Sequence, residues 1–200
     1  LLMGSSTNNY ATDGYLQVYT NAGFDFEVAE ITVESDLESY VLNGNEDVNA
    51  SCQFNKAKYS LISNGNDNFI TKTSYKAVEA ISFDMDLSYD ASITDWRALI
   101  TFEDNMPGRW FDGNEDFGYK LWFYPNNIAL FKREINPENN GTFLKNSEYV
   151  YEGGAEAFFA KPHHYSIDFV SKDNSKFVLL YIDGKLVMNA EDYYGNSFAN

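Results

Sequence analysis

YSIDFVSKDNSKFVLLYIDGKLVM, residues 165–188, is the stretch from which the fold is read. Tyr165, Ile167 and Phe169 alternate with Ser166 and Asp168, the two-residue period of a strand with one buried and one wet face. From Phe177 to Ile182 apolar residues occupy both parities, as in a strand covered on both sides. The polar segment Lys172-Asp173-Asn174-Ser175 turns the chain between these two strands. Asp183-Gly184 is the two-residue signal of a type I′ turn, which closes a further hairpin into Lys185-Leu186-Val187-Met188. An antiparallel meander is therefore expected here.

The same pattern recurs upstream. Strands are expected at Tyr15 to Thr20, Phe24 to Val33, Ala50 to Asn55, Lys58 to Ser63 and Asn68 to Thr71. Glu79 to Leu87 turns Ile81, Phe83, Met85 and Leu87 inward and Ser82, Asp84 and Asp86 outward. Trp96 to Phe102 carries Trp96, Ala98, Ile100 and Phe102 on one face and Arg97, Leu99 and Thr101 on the other. Gly118 to Tyr124 and Ile128 to Arg133 make a hairpin around Pro125-Asn126-Asn127. Residues 134–147 read as a polar loop, Glu148 to Glu152 as a short strand, and Ala155 to Ala160 as room for a single helical turn. No run keeps the i, i+3, i+4, i+7 spacing of an amphipathic helix, so the chain reads as all-β.

Three segments carry a resemblance. The strand, Asp-Gly-Lys turn and strand near the C-terminus, ALITFED (98–104) and GYKLWFYPNNIALFKRE (118–134) resemble the concanavalin A-like, laminin-G-like β-sandwich (jelly-roll) domains of bacterial extracellular proteins. The resemblance implies a two-sheet antiparallel sandwich. In that family a segment like GYLQVYTNAGFDFEVAEITV (14–33) finishes a domain, following the Asp-Gly-Lys hairpin, whereas here it comes first. Leu1 and Met3 also match Leu186 and Met188 in front of a second polar loop, a weak internal repeat. The expected organisation is a closing hairpin in 1–33, belonging to this sandwich or to a neighbouring copy, a connector in 34–49, and the sandwich body in 50–200. The frame is then circularly permuted or strand-exchanged, and the chain reads as a piece of a tandem array. The plainer alternative is an N-terminal extension that only looks like a closing hairpin.

At 200 residues, with 44% hydrophobic and 17% aromatic residues, the chain can bury the core of one domain. A formal charge of −16 lacks the basic stripe that a phosphate backbone requires, so nucleic acid is excluded as a partner and acidic membrane surfaces are disfavoured. One cysteine, Cys52, cannot form an intramolecular disulfide and reads as a small core residue. No apolar run is long enough to span a bilayer. An acidic, cysteine-poor composition rich in Asn and Tyr points to a secreted or cell-surface bacterial protein. Asn49-Ala50-Ser51 and Asn140-Gly141-Thr142 are glycosylation acceptors only in a eukaryotic secretory route.

Aromatic rings stack on the C–H faces of sugars while carboxylates and amides bond the hydroxyls, which makes a carbohydrate-binding module the first functional expectation. Two sets of residues fit. One is the loop around Trp110, Phe111 and Asp112. The other is the face opposite the core, with Trp122 and Tyr124 beside Lys120, joined by Tyr15 and Tyr19, with Arg97, Asp84 and Asp86 as polar contacts. For Trp110 and Trp122 the competing role is ordinary packing. The alternative function is a structural repeat of a surface adhesin or filament, in which copies assemble by β-strand exchange.

Catalysis is not expected. Glu34-Ser35-Asp36-Leu37-Glu38 fits the Glu-x-Asp-x-Glu pattern of laminarinase-like glucanases, where Glu34 and Glu38 would be the working pair. Ser35, however, stands where an apolar residue would pin the strand, and the motif falls in a connector, so a solvated acidic linker is expected. His163 and His164 are neighbours on a strand and point to opposite faces, which denies them a shared metal. Structural calcium has oxygen ligands available in Asn64 to Asn68 and Asp112 to Asp116, without EF-hand spacing, and turn chemistry is the competing role.

Overall fold

In a computed structural model, residues 15–20, 25–35, 39–41, 48–50, 53–55, 60–64, 68–71, 78–92, 94–95, 98–103, 118–133, 142–172 and 175–192 are described. The elements run β1 (Tyr15–Thr20), β2 (Asp25–Ser35), β3 (Ser39–Val41), β4 (Val48–Ala50), β5 (Gln53–Asn55), β6 (Ser60–Asn64), β7 (Asn68–Thr71) and β8 (Val78–Leu87). They continue with β9 (Ala98–Glu103), β10 (Gly118–Phe123), β11 (Asn127–Arg133), β12 (Thr142–Val150), α1 (Ala155–Phe158), β13 (His163–Lys172), β14 (Ser175–Ile182) and β15 (Lys185–Asp192). The protein is all-β, and one helical turn is the only helix among the described residues.

The strands follow one antiparallel path that curls on itself: β4-β7-β1-β9-β10-β11-β12-β15-β14-β13-β8-β2-β6-β5, with β3 on β2. The segment 165–188 forms the expected meander, β13 pairing β14 from Tyr165↔Ile182 to Lys172↔Ser175 and β14 pairing β15. Asp183 and Gly184 both take positive φ, 51° and 77°, as a type I′ turn requires.

The curl presses one arm of the path onto the other. Phe169 of β13 meets Phe102 of β9 at 6.0 Å and Tyr119 of β10 at 5.6 Å, and Phe123 meets Tyr165 edge to face at 5.6 Å. These contacts bury the inward residues expected from alternation: Ile81, Phe83, Met85 and Leu87 on β8, and Ala98, Ile100 and Phe102 on β9.

Two left-handed residues explain where simple alternation breaks. Glu30 (φ 52°) sits in a bulge of β2, so the buried parity shifts from Val28 to Ile31 and Val33. Asn146 (φ 58°) does the same in β12, between buried Leu144 and buried Ser147, whose Oγ bonds the Leu144 carbonyl at 2.5 Å. Between its two stretches of pairing with β11, β12 pairs with β15 through Lys145↔Glu191, the one ladder pair that joins the arms among the described residues. The polar loop expected through residue 147 is thus strand from Thr142 onward. Its exposed Lys145, Asn146 and Glu148 mask the strand period.

The strands expected to form one closing hairpin part company. β1 lies between β7 and β9, and β2 lies between β6 and β8, on opposite arms of the path. Both pair with strands of their own chain. The segment expected as a connector carries the end of β2, all of β3 and the start of β4.

Candidate functional site

On β10 the alternation sends Tyr119, Leu121 and Phe123 into the core and leaves Lys120 and Trp122 on the opposite face. Trp122 is half-buried there, and its ring lies nearly parallel to that of Tyr124, 14° apart in plane with centroids 5.9 Å apart. Phe131 of β11 meets the indole edge-on at 6.5 Å and 73°. The turn that carries Tyr124 is fastened on two sides. Its N–H donates to the Asn127 carbonyl at 2.8 Å, and the Tyr151 hydroxyl donates to the Tyr124 carbonyl at 2.9 Å and the Asn127 carbonyl at 3.1 Å. The pair is therefore held in place by backbone bonds and not by its own contacts alone.

Register extends this face across the sheet. Tyr19, Leu99, Trp122, Ala129 and Glu148 are successive Cα partners, and Gln17, Thr101, Lys120 and Phe131 form the next row. Leu99, Thr101, Lys120 and Ala129 are buried although none belongs to the core cluster, so this part of the outer face is covered. Thr101 Oγ1 has no hydrogen-bond partner there. Trp122, Tyr124 and Phe131 are only half-buried, and Glu148 and Asp95 are exposed. Partial burial, and then the negative charges of Asp95 and Glu148, push the Tyr124 phenol up.

Of the residues expected at the site, Trp122 and Tyr124 come together, and the backbone of Tyr19 joins their row through Leu99. Tyr15 is further along β1, opposite Glu103. Trp110, Phe111, Asp112 and Arg97 lie outside the described residues, as do Asp36 and Glu38 and most of both candidate calcium runs. Asp84 does not reach this face: it sits on β8 in the other arm, 2.6 Å from His164 Nδ1. Glu34 is exposed near the end of β2, opposite Ala80 and Ser39. Phe131 and Glu148 were not legible as site residues because only the strand register brings them beside Trp122, and Asp95 was not because only the folded chain brings its charge to act on Tyr124.

A second polar cluster surrounds the Asp183 turn. The Asp183 carboxylate accepts from the His164 N–H at 3.0 Å and from Lys161 Nζ at 3.3 Å, and it faces His163 Nδ1 at 2.8 Å. The other ring nitrogen of His163 is 2.7 Å from the Phe158 carbonyl, and the Phe158 ring stacks on the imidazole at 4.2 Å and 16°. Both neighbours of His163 are hydrogen-bond acceptors. Partial burial works to raise the Asp183 carboxyl, but the His164 N–H, His163 and Lys161 together hold it below the usual carboxylate value. His163 and His164 face opposite ways and bind different carboxylates, Asp183 and Asp84. The cluster ties the turn to the start of β13 and α1.

No family model, curated protein or solved structure matches the chain. Among the described residues no helix is long and apolar enough to cross a membrane.

Proposed function

We propose that this chain is a non-catalytic, extracellular carbohydrate-binding module of the two-sheet, concanavalin A-like class. Its glycan lies on the outer face of β10 and β11 against Trp122 and Tyr124. The observation that carries the reading is the near-parallel Trp122–Tyr124 pair, half-buried and backed edge-on by Phe131. Aromatic surface of this kind stacks on the C–H face of a sugar ring, and the exposed carboxylates of Glu148 and Asp95 accept hydrogen bonds from its hydroxyls. The fixed turn under Tyr124 lowers the ordering cost of binding. The packing of Phe169 on Phe102 and Tyr119 supports a division of the curled path into two facing sheets.

The test is retention on a panel of immobilised neutral and acidic polysaccharides. Wild type is retained by at least one, and Trp122→Ala and Tyr124→Ala each weaken that binding by about tenfold or more, a loss of about 1.4 kcal/mol. Retention by no polysaccharide, or retention that both substitutions leave unchanged, rejects the site.

A further inference from the structure

We propose that Lys132 of β11 and Asp192 of β15 close an amide cross-link between the two arms of the folded chain. Lys132 Nζ lies 2.8 Å and 3.0 Å from the two carboxylate oxygens of Asp192, and both side chains have no solvent exposure. The Tyr119 hydroxyl donates to Asp192 Oδ2 at 2.8 Å. Lys132 continues the inward parity of Ile128 and Leu130, and Asp192 that of Met188 and Ala190, so the pair sits at the edge of the apolar core, beside the strand that joins the arms.

Three features favour bond formation over a lasting ion pair. Water, the product of condensation and the reagent of its reversal, is excluded. Nucleophile and carboxyl are held in contact by strands 60 residues apart in sequence, and such positioning is worth effective molarities on the order of 10⁵–10⁸ M. The reactive pair, free amine plus carboxylic acid, differs from the ion pair only by one proton moved along the existing 2.8 Å hydrogen bond.

The step then balances without any further reagent. The amine lone pair forms the C–N bond at Asp192 Cγ while the carbonyl electron pair moves onto Oδ1. On collapse the C=O is restored and the bond to Oδ2 breaks. Tyr119 hands its proton to the departing Oδ2, which leaves as water, and takes a proton from Nζ in return. The net change is one amine and one acid converted to one amide and one water.

Intact mass of the full chain under denaturing conditions tests this directly. The wild-type chain is expected one water lighter than its sequence mass. A tryptic digest is expected to contain a branched peptide joining residues 121–133 to 186–200, since acylated Lys132 resists cleavage. Lys132→Arg and Asp192→Ala are expected at full mass, and Tyr119→Phe is expected to acquire the bond more slowly. A wild-type chain at full mass overturns the proposal. So does a loss of water that maps to a succinimide at Asp183-Gly184 or Asp112-Gly113, or one that survives in Lys132→Arg. If the variants do not fold, presence or absence of the branched peptide in wild type decides alone.

Discussion

Asp183 holds a turn residue, a buried imidazole and a strand entrance at once, and its removal separates what each contributes. Asp183→Asn keeps a residue that tolerates φ 51° and retains an acceptor for the His164 N–H, while giving up the charge that faces His163 and Lys161. Hydrogen bonds to charged groups are worth about 1.5–3 kcal/mol when buried. The Asp183 side chain is 43% exposed, so solvent screens part of that value, and we expect a loss of about 1 kcal/mol. Asp183→Ala forfeits all three contacts, leaves buried His163 short of a partner and adds a left-handed strain of about 1 kcal/mol. Its expected cost is about 3 kcal/mol, which for a domain of this size lowers Tm by about 6–12 °C. Urea and thermal denaturation of the three proteins give the comparison. Because the Asp183 carboxyl is held low in the folded state, its stabilisation is complete above the ordinary carboxylate value of about 3.9 and fades as pH falls through the folded value. The gap between wild type and Asp183→Asn should therefore close in acid. Equal losses for Asn and Ala, or an Ala variant as stable as wild type, would refute the reasoning.

Two further outcomes follow from the packing. Thr101→Val removes a hydroxyl that is buried without a partner, so it is expected to raise stability by up to about 1 kcal/mol, read as a higher urea midpoint. Phe169→Ala empties the contact between the arms beside Phe102 and Tyr119, and a loss of about 3–5 kcal/mol in the same assay is expected.

Much of the fold was legible because alternation and turn chemistry agree locally. The bounds of β1 and β7 coincide with the runs read from the sequence, and Asp183-Gly184 forms the turn its residues demand. What local pattern does not carry is partnership. Nothing in YLQVYT or FDFEVAEITV says that the first strand pairs with residues 98–103 and the second with residues 78–87. The first two-thirds of β12, from Thr142 to Ser147, escaped notice because the bulge at Asn146 breaks the period and buried Ser147 looks like a loop residue. The binding face divides in the same way. Parity along one strand placed Trp122 opposite the core, but Phe131 and Glu148 reach it only through register with β11 and β12. Lys132 is the clearest case: a lysine at an inward position reads as the end of a strand until Asp192, on β15, is seen beneath it.

The path of the chain between the two arms governs how this protein can form. β1 belongs to one arm and β2 to the other, β4 and β7 return to the first, and β5, β6 and β8 to the second, so neither arm is a contiguous piece of sequence. No fragment ending before residue 175 contains the ladder β14 gives to β13, and none lacking residues 15–35 retains β2 beside β8 or β1 beside β9. Folding must wait for distant segments to meet, which places this chain among the slow, non-local folders of the millisecond-to-second range. During synthesis it completes its ladders only after β15 has left the ribosome.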